Sequence, residues 1–247
     1  MGTDLTQLLS DWPYDPDNTT RIITAEDGRS VLQVRLPLGL EQYELEGRPD
    51  GSQPMGKPTV VDIVEDQLAA YVQEHGADDG FLIDHEEAVL LQNEGVLFYY
   101  RYLLLFQMND FSRVSRDTEH NLRLARLLEK YCENDSDRNA VLQFKPYIVR
   151  MNAMARAMMA VQNDMKETAA EVIDGAVEEI EQMADIDSPA FHFEKVRSVN
   201  YLRSALKQIH DKQPDPVKRL EEELERAVED ENYERAAELR DQIRNMR

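Results

Sequence analysis

The chain has a single cysteine, Cys132, in 247 residues. A lone thiol excludes an internal disulfide and any CxxC zinc site, so nothing in the sequence asks for an oxidising compartment. Long apolar runs are missing as well. The longest, Val96 to Phe106, is interrupted by Arg101 and falls far short of the ~20 residues that a membrane span needs, so it reads as a buried helix. The first dozen residues contain neither a basic stretch nor an apolar one, which speaks against a secretory signal and makes the cytoplasm the expected compartment. Basic residues are scarce, with 28 Lys and Arg against 49 Asp and Glu and a net charge of -21. Residues 1–100 carry 20 acids and 5 bases, residues 101–210 carry 17 and 15, and residues 211–247 carry 12 and 8. No basic face is gathered anywhere, and an acidic surface repels a phosphate backbone. Direct nucleic-acid binding and membrane attachment are therefore not expected.

Catalytic signatures are absent too. The sequence has no glycine-rich phosphate loop, no GxSxG and no HExxH. Its densest group of metal-ligating residue types, Asp84-His85-Glu86-Glu87, sits at a helix start, where acids favour the helix dipole. His120, His192 and His210 are scattered, and no histidine can be assigned as a base to Cys132, which reads as a small packing residue. Neither a catalytic residue nor a metal or cofactor is expected, and the chain reads as a non-enzyme.

What the chain does have is apolar periodicity, with 42% hydrophobic residues. Arg21–Thr24, Val31–Leu36 and Leu40–Leu45 are short β-rich runs, the first two separated by Glu26-Asp27-Gly28-Arg29, where Asp-Gly suits a tight turn. They predict a small antiparallel meander that must pack on something else. Trp12, the only tryptophan, reads as an anchor for the N-terminal segment. Glu46–Pro58, with three glycines and three prolines, marks a boundary. Beyond it the period becomes helical. Val60, Val61, Val64, Leu68 and Val72 form one stripe ending at His75-Gly76. Phe81–Tyr131 reads as two helices broken near Asn109-Asp110, one lined by Leu97, Tyr100, Leu104 and Met108 and the other by Leu122, Leu124, Leu127, Leu128 and Tyr131. Val141–Gln162 and Met165–Met183 form a second pair meeting at Asn163-Asp164, an offset of 54 residues between turns. Phe191–Ile209 adds one more helix. The methionines Met151, Met154, Met158, Met159 and Met165 fit a helix core or a plastic partner groove. The expected fold is mostly α: a helical bundle of repeat-like hairpins with a small N-terminal antiparallel β meander and a C-terminal helical hairpin. The corresponding segments are residues 1–58, 59–212 and 213–247.

In the last segment, Gln213-Pro214-Asp215-Pro216 ends one helix and starts another. Val217, Leu220, Leu224, Ala227 and Val228 form one narrow stripe, and Ala236, Leu239, Ile243 and Met246 form a second after the polar run Glu229–Asn232. Glu222 with Arg226 and Glu231 with Arg235 place acid before base at a spacing of four. Two helices this short are marginal alone in water. They need a cover, which is the rest of this chain, a second copy, or a foreign helix pair completing a four-helix assembly.

The run Leu220, Leu224, Ala227, Val228, Tyr233, Glu234, Ala236, Ala237, Leu239, Arg240, Asp241 and Ile243 resembles the UVR motif of the bacterial excision-repair proteins UvrB and UvrC and of some adaptors of Clp-type proteases. The resemblance implies a helical hairpin that mediates protein contacts, including those of UvrB with UvrC. It makes Leu220, Leu224, Ala227, Val228, Tyr233, Ala236, Ala237, Leu239, Arg240 and Ile243 the candidate partner-binding residues, and a helical or UVR-like protein surface the candidate partner, with self-association open. Adaptors of the Clp type carry paired CxxC zinc sites, which a single cysteine does not supply. The leading expectation is an interaction protein that docks through its hairpin, with a possible link to excision repair. An adaptor of a Clp-type chaperone or protease is the alternative. An enzyme with a polar pocket between meander and helices is a third reading.

Overall fold

The computed structural model describes residues 4–210 and, beyond them, residues 220, 224, 225, 227, 235, 238–240, 242 and 243. The described chain is mostly helical. Its elements are α1 (Thr6–Asp11), β1 (Thr20–Thr24), β2 (Ser30–Leu36), β3 (Gly39–Glu44), a 3-10 turn (Pro54–Gly56), α2 (Val60–His75), α3 (His85–Gln107), α4 (Phe111–Tyr131), α5 (Asp135–Leu142), α6 (Lys145–Gln162), α7 (Lys166–Gln182) and α8 (Pro189–His210). Two compact units result, Met1–Leu202 and Arg203–Arg247, in place of the three segments read from composition.

The three strands form one antiparallel sheet in the order β1-β2-β3, with Ile22 opposite Leu32 and Leu32 opposite Tyr43. Gly28, at φ 88, closes the first hairpin. The central strand β2 is buried along most of its length. Leu32 packs with Leu45, Tyr102, Leu105, Phe111 and Val114, so the meander leans on α3 and α4. Trp12 is held from two sides. Its carbonyl oxygen accepts from Arg35 Nε at 2.7 Å, and the Arg21 guanidinium lies 3.9 Å from its ring centroid.

Glu46–Pro58 does not act as a boundary. The carbonyl oxygens of Glu44 and Gly47 accept from Arg101 on α3, and Arg48 reaches Glu94 at 2.7 Å. These bonds fasten the segment to the helical body.

A second core cluster joins α2, α3 and α4 through Val60, Val61, Val64, Leu91, Leu124 and Leu128. Helix α2 ends as its sequence indicates, with Gly76 at φ 82 donating to Val72 O. Helix α3 departs from expectation. Its buried face is Ala88, Leu91, Glu94, Phe98, Arg101, Tyr102 and Leu105, whereas Tyr100 is 51% exposed. The helix carries apolar residues all round, so periodicity alone cannot choose a face. The face that wins includes two charges, each neutralised inside the fold.

The stretch expected as one helix from Val141 is two. α5 stops at Leu142 and α6 begins at Lys145 with Pro146 in its first turn, a position where proline's missing N–H costs nothing. The α3–α4 and α6–α7 turns are built alike. Asn109 (φ 61) and Asp164 (φ 57) are left-handed, and Asp110 N donates to Leu105 O as Met165 N donates to Ala160 O. Helix α4 buries all five positions assigned to it, Leu122, Leu124, Leu127, Leu128 and Tyr131. Of the methionines, Met151 and Met154 are buried and Met165 is 48% exposed.

Candidate protein-docking site

The second unit takes in the end of α8 from Arg203 and the apolar stripes of the C-terminal segment. Residues 220, 224, 225, 227, 235, 238–240, 242 and 243 are helical. Ala227 and Leu239 form its buried centre, and Leu220 and Leu224 pack against them while remaining partly exposed. The spacing explains the contact. Leu220, Leu224 and Ala227 fall on successive turns of one face, and Leu239 and Ile243 do the same four residues apart. Leu239 is 1% exposed and Ile243 8%.

These placements refine the candidate list. Ala227, Leu239 and Ile243 are buried. Arg240 is exposed, and so are Glu225, Arg235 and Glu238. Arg235 Nη1 lies 2.9 Å from Glu238 Oε2 in a pair spaced by three. Val228, Tyr233, Ala236 and Ala237, and the pair Glu222–Arg226, lie outside the described residues.

The other residue types singled out by sequence have structural partners. Asp84 caps α3 by accepting from Glu87 N at 2.9 Å. His85 pairs with Asp137 at 2.8 Å, which raises its pKa above the ordinary histidine value. Among the described residues no group of three or more His, Cys, Asp or Glu is placed to hold a metal ion, and no helix is long and apolar enough to cross a membrane. Cys132 is buried, and burial pushes its thiol above the usual range.

His120 is not a scattered residue. It stacks on Phe98 at 3.7 Å between centroids, and its Nε2 lies 3.2 Å from Glu94 Oε1. Glu94 has a fully buried side chain. Its Oε2 accepts from Arg48 Nη1 and from Val60 N, both at 2.7 Å, and its Oε1 accepts from Val61 N at 3.1 Å. With Thr59 Oγ1 accepting from Asp62 N, the first amides of α2 are all satisfied. Burial pushes the Glu94 carboxyl up, but hydrogen bonds from His120 and from the Val60 and Val61 amides outweigh it and hold the group below its ordinary value. Sequence reasoning missed this centre. The signal was available as a charge at every seventh position, Glu94 and Arg101, within an otherwise apolar helix.

The UvrB/uvrC motif family matches residues 215–247. No curated protein matches the chain, and no solved structure does. The matched segment holds the buried Ala227 and Leu239 and the packed Leu220 and Leu224. The chain therefore carries a C-terminal UvrB/uvrC motif, following a largely helical N-terminal unit with a three-stranded sheet.

Proposed function

We propose that this is a non-enzymatic interaction protein that docks a helical partner through its UvrB/uvrC hairpin, with excision repair as the setting of that contact. The observation that supports the reading is the motif at residues 215–247, with Leu220 and Leu224 packed on the Ala227–Leu239 centre yet still partly open. A short hairpin that leaves such leucines half covered gains from burying them against another helix pair. The net charge of -21 makes contact with a protein more favourable than contact with DNA.

The test is binding of the purified chain to purified UvrB and UvrC, followed by titration calorimetry. Two variants are compared with wild type. Arg240→Glu changes an exposed side chain and should weaken capture without altering the circular dichroism spectrum. Leu224→Asp should abolish capture, since a carboxylate pressed into an apolar contact without a partner costs more than the roughly 2 to 7 kcal/mol of an unpaired neutral polar group. Capture by both variants equal to that of wild type would remove the docking proposal. Capture of a Clp-type chaperone in place of UvrB or UvrC would favour the adaptor alternative.

A further inference from the structure

A cleft of about 490 Å³ opens in the N-terminal unit between α3, α4, α5, α6 and α8, a size typical of small-ligand sites. Its walls carry four tyrosine rings, Tyr99, Tyr100, Tyr102 and Tyr147. Tyr99 lies 5.4 to 5.9 Å from each of the other three, ring centre to ring centre. Burial raises the Tyr147 hydroxyl to about 12 and moves Tyr102 upward as well, so both remain neutral. The aromatic wall offers flat, uncharged faces.

Two polar groups on this lining are incompletely satisfied, and both are acceptors. Asn121 is 5% exposed, and its Nδ2 donates to Gly95 O at 3.0 Å, which fixes the amide orientation. Its Oδ1 has no hydrogen-bond partner. Glu194 Oε2 has none either. It stands 3.9 Å from Arg150 Nη2, while Glu194 Oε1 stands 3.5 Å from Arg197 Nη1. Buried acceptors without donors are uncommon in folded proteins and carry a penalty that a donor relieves. Rotating the Glu194 carboxylate about its soft terminal torsion to present an oxygen to the cleft loosens only two long contacts, those to Arg197 and Arg150.

Charge narrows the choice of guest. Glu194 is flanked by two guanidiniums, so it has no excess negative charge to attract a cation. An anion would meet both that carboxylate and the overall charge of -21. Gly95 also lines the cleft, and a Cβ there would lie 3.8 Å from Asn121 Oδ1.

We propose that the cleft binds an uncharged, planar heteroaromatic molecule with N–H donors on its edge, of nucleobase or nucleoside type. The ring stacks among Tyr99, Tyr100 and Tyr147, and its N–H groups supply Glu194 with the donor it lacks. This site is independent of the docking hairpin.

The probes are adenosine and guanosine, titrated into the full chain by calorimetry and by saturation-transfer NMR. Caffeine, a purine with every N–H replaced by methyl, is the control for stacking alone. At least one nucleoside should bind saturably at millimolar concentration or below, with caffeine about tenfold weaker or more, as expected when a charged acceptor loses its donor. Ala140→Trp fills the cleft from an exposed position and should abolish binding. Glu194→Gln should weaken binding by about tenfold. No saturable binding of either nucleoside overturns the proposal. Equal binding of caffeine, or binding indifferent to Ala140→Trp, overturns it as well.

Discussion

At the scale of single residues, the fold depends on two charges placed inside it. Glu94 accepts from Arg48, His120 and two backbone amides with its side chain fully buried. Glu94→Gln removes the charge on which Arg48, His120 and the Val60 and Val61 amides converge, and should destabilise the N-terminal unit by about 3 to 5 kcal/mol in urea unfolding. The sign with pH follows from its lowered pKa. A carboxyl that is more acidic folded than unfolded contributes its full stability above the ordinary value of 4.5 and loses it as the pH falls below. The gap between wild type and Glu94→Gln should therefore be wide at neutral pH and narrow below 4.5; a gap that widens in acid contradicts the assignment. Arg101 and Asp117 form the second centre. They are joined by two bonds of 2.7 Å with both side chains at 0% exposure. Arg101→Met leaves Asp117 with only Arg116 beside it and strips the carbonyl oxygens of Glu44 and Gly47 of their donor, a loss of about 3 to 5 kcal/mol. Adding Asp117→Leu to that variant should recover part of the stability, measured as a double-mutant cycle.

At the scale of elements, turn chemistry and face selection differ in how plainly the chain declares them. Helix α2 is legible because its apolar stripe is narrow and Gly76 supplies the left-handed residue at its end. Gly76→Ala should cost about 1 kcal/mol, with the midpoint of thermal unfolding falling by a few degrees. The turns at Asn109 and Asp164 are legible for the same reason, although both place a side chain where glycine is easier. Asp164→Gly is expected to leave stability within about 1 kcal/mol of wild type or raise it, because relief of strain offsets the added freedom of the unfolded chain. The face of α3 was not legible. An apolar stripe excludes charges by construction, and here the true stripe contains Glu94 and Arg101, whose partners lie on other elements far along the chain. Helix α5 was missed despite Asn134 at its cap and Asp135 and Asp137 in its first turn. Eight polar-rich residues gave too little periodicity to outweigh the neighbouring run.

At the scale of the whole molecule, the helical character of the described C-terminal residues was readable from the stripes, but which residues face inward was not. Ala227 and Leu239 occupy equivalent places in the pattern to Leu220 and Leu224, and only packing separates the buried pair from the half-covered one. Division into two compact units, Met1–Leu202 and Arg203–Arg247, predicts that damage stays local. Leu239→Asp should unfold the second unit while the melting temperature of the first stays within the usual scatter of surface variants, about 0.5 kcal/mol in stability terms. A large drop in the main transition, in this variant or in a chain ending at residue 212, would show that the units support each other.

The Glu94 centre also fixes when α2 can exist. A helix start ordinarily frays, and its first amides exchange their protons with solvent through small local openings. In α2 the Val60 and Val61 amides are held by a carboxylate that lies on α3, more than 30 residues further along the chain. Those protons should therefore survive as long as the most protected amides of α3 and α4 in native-state hydrogen exchange, and be released together with them. The beginning of this helix would then report the opening of the whole unit.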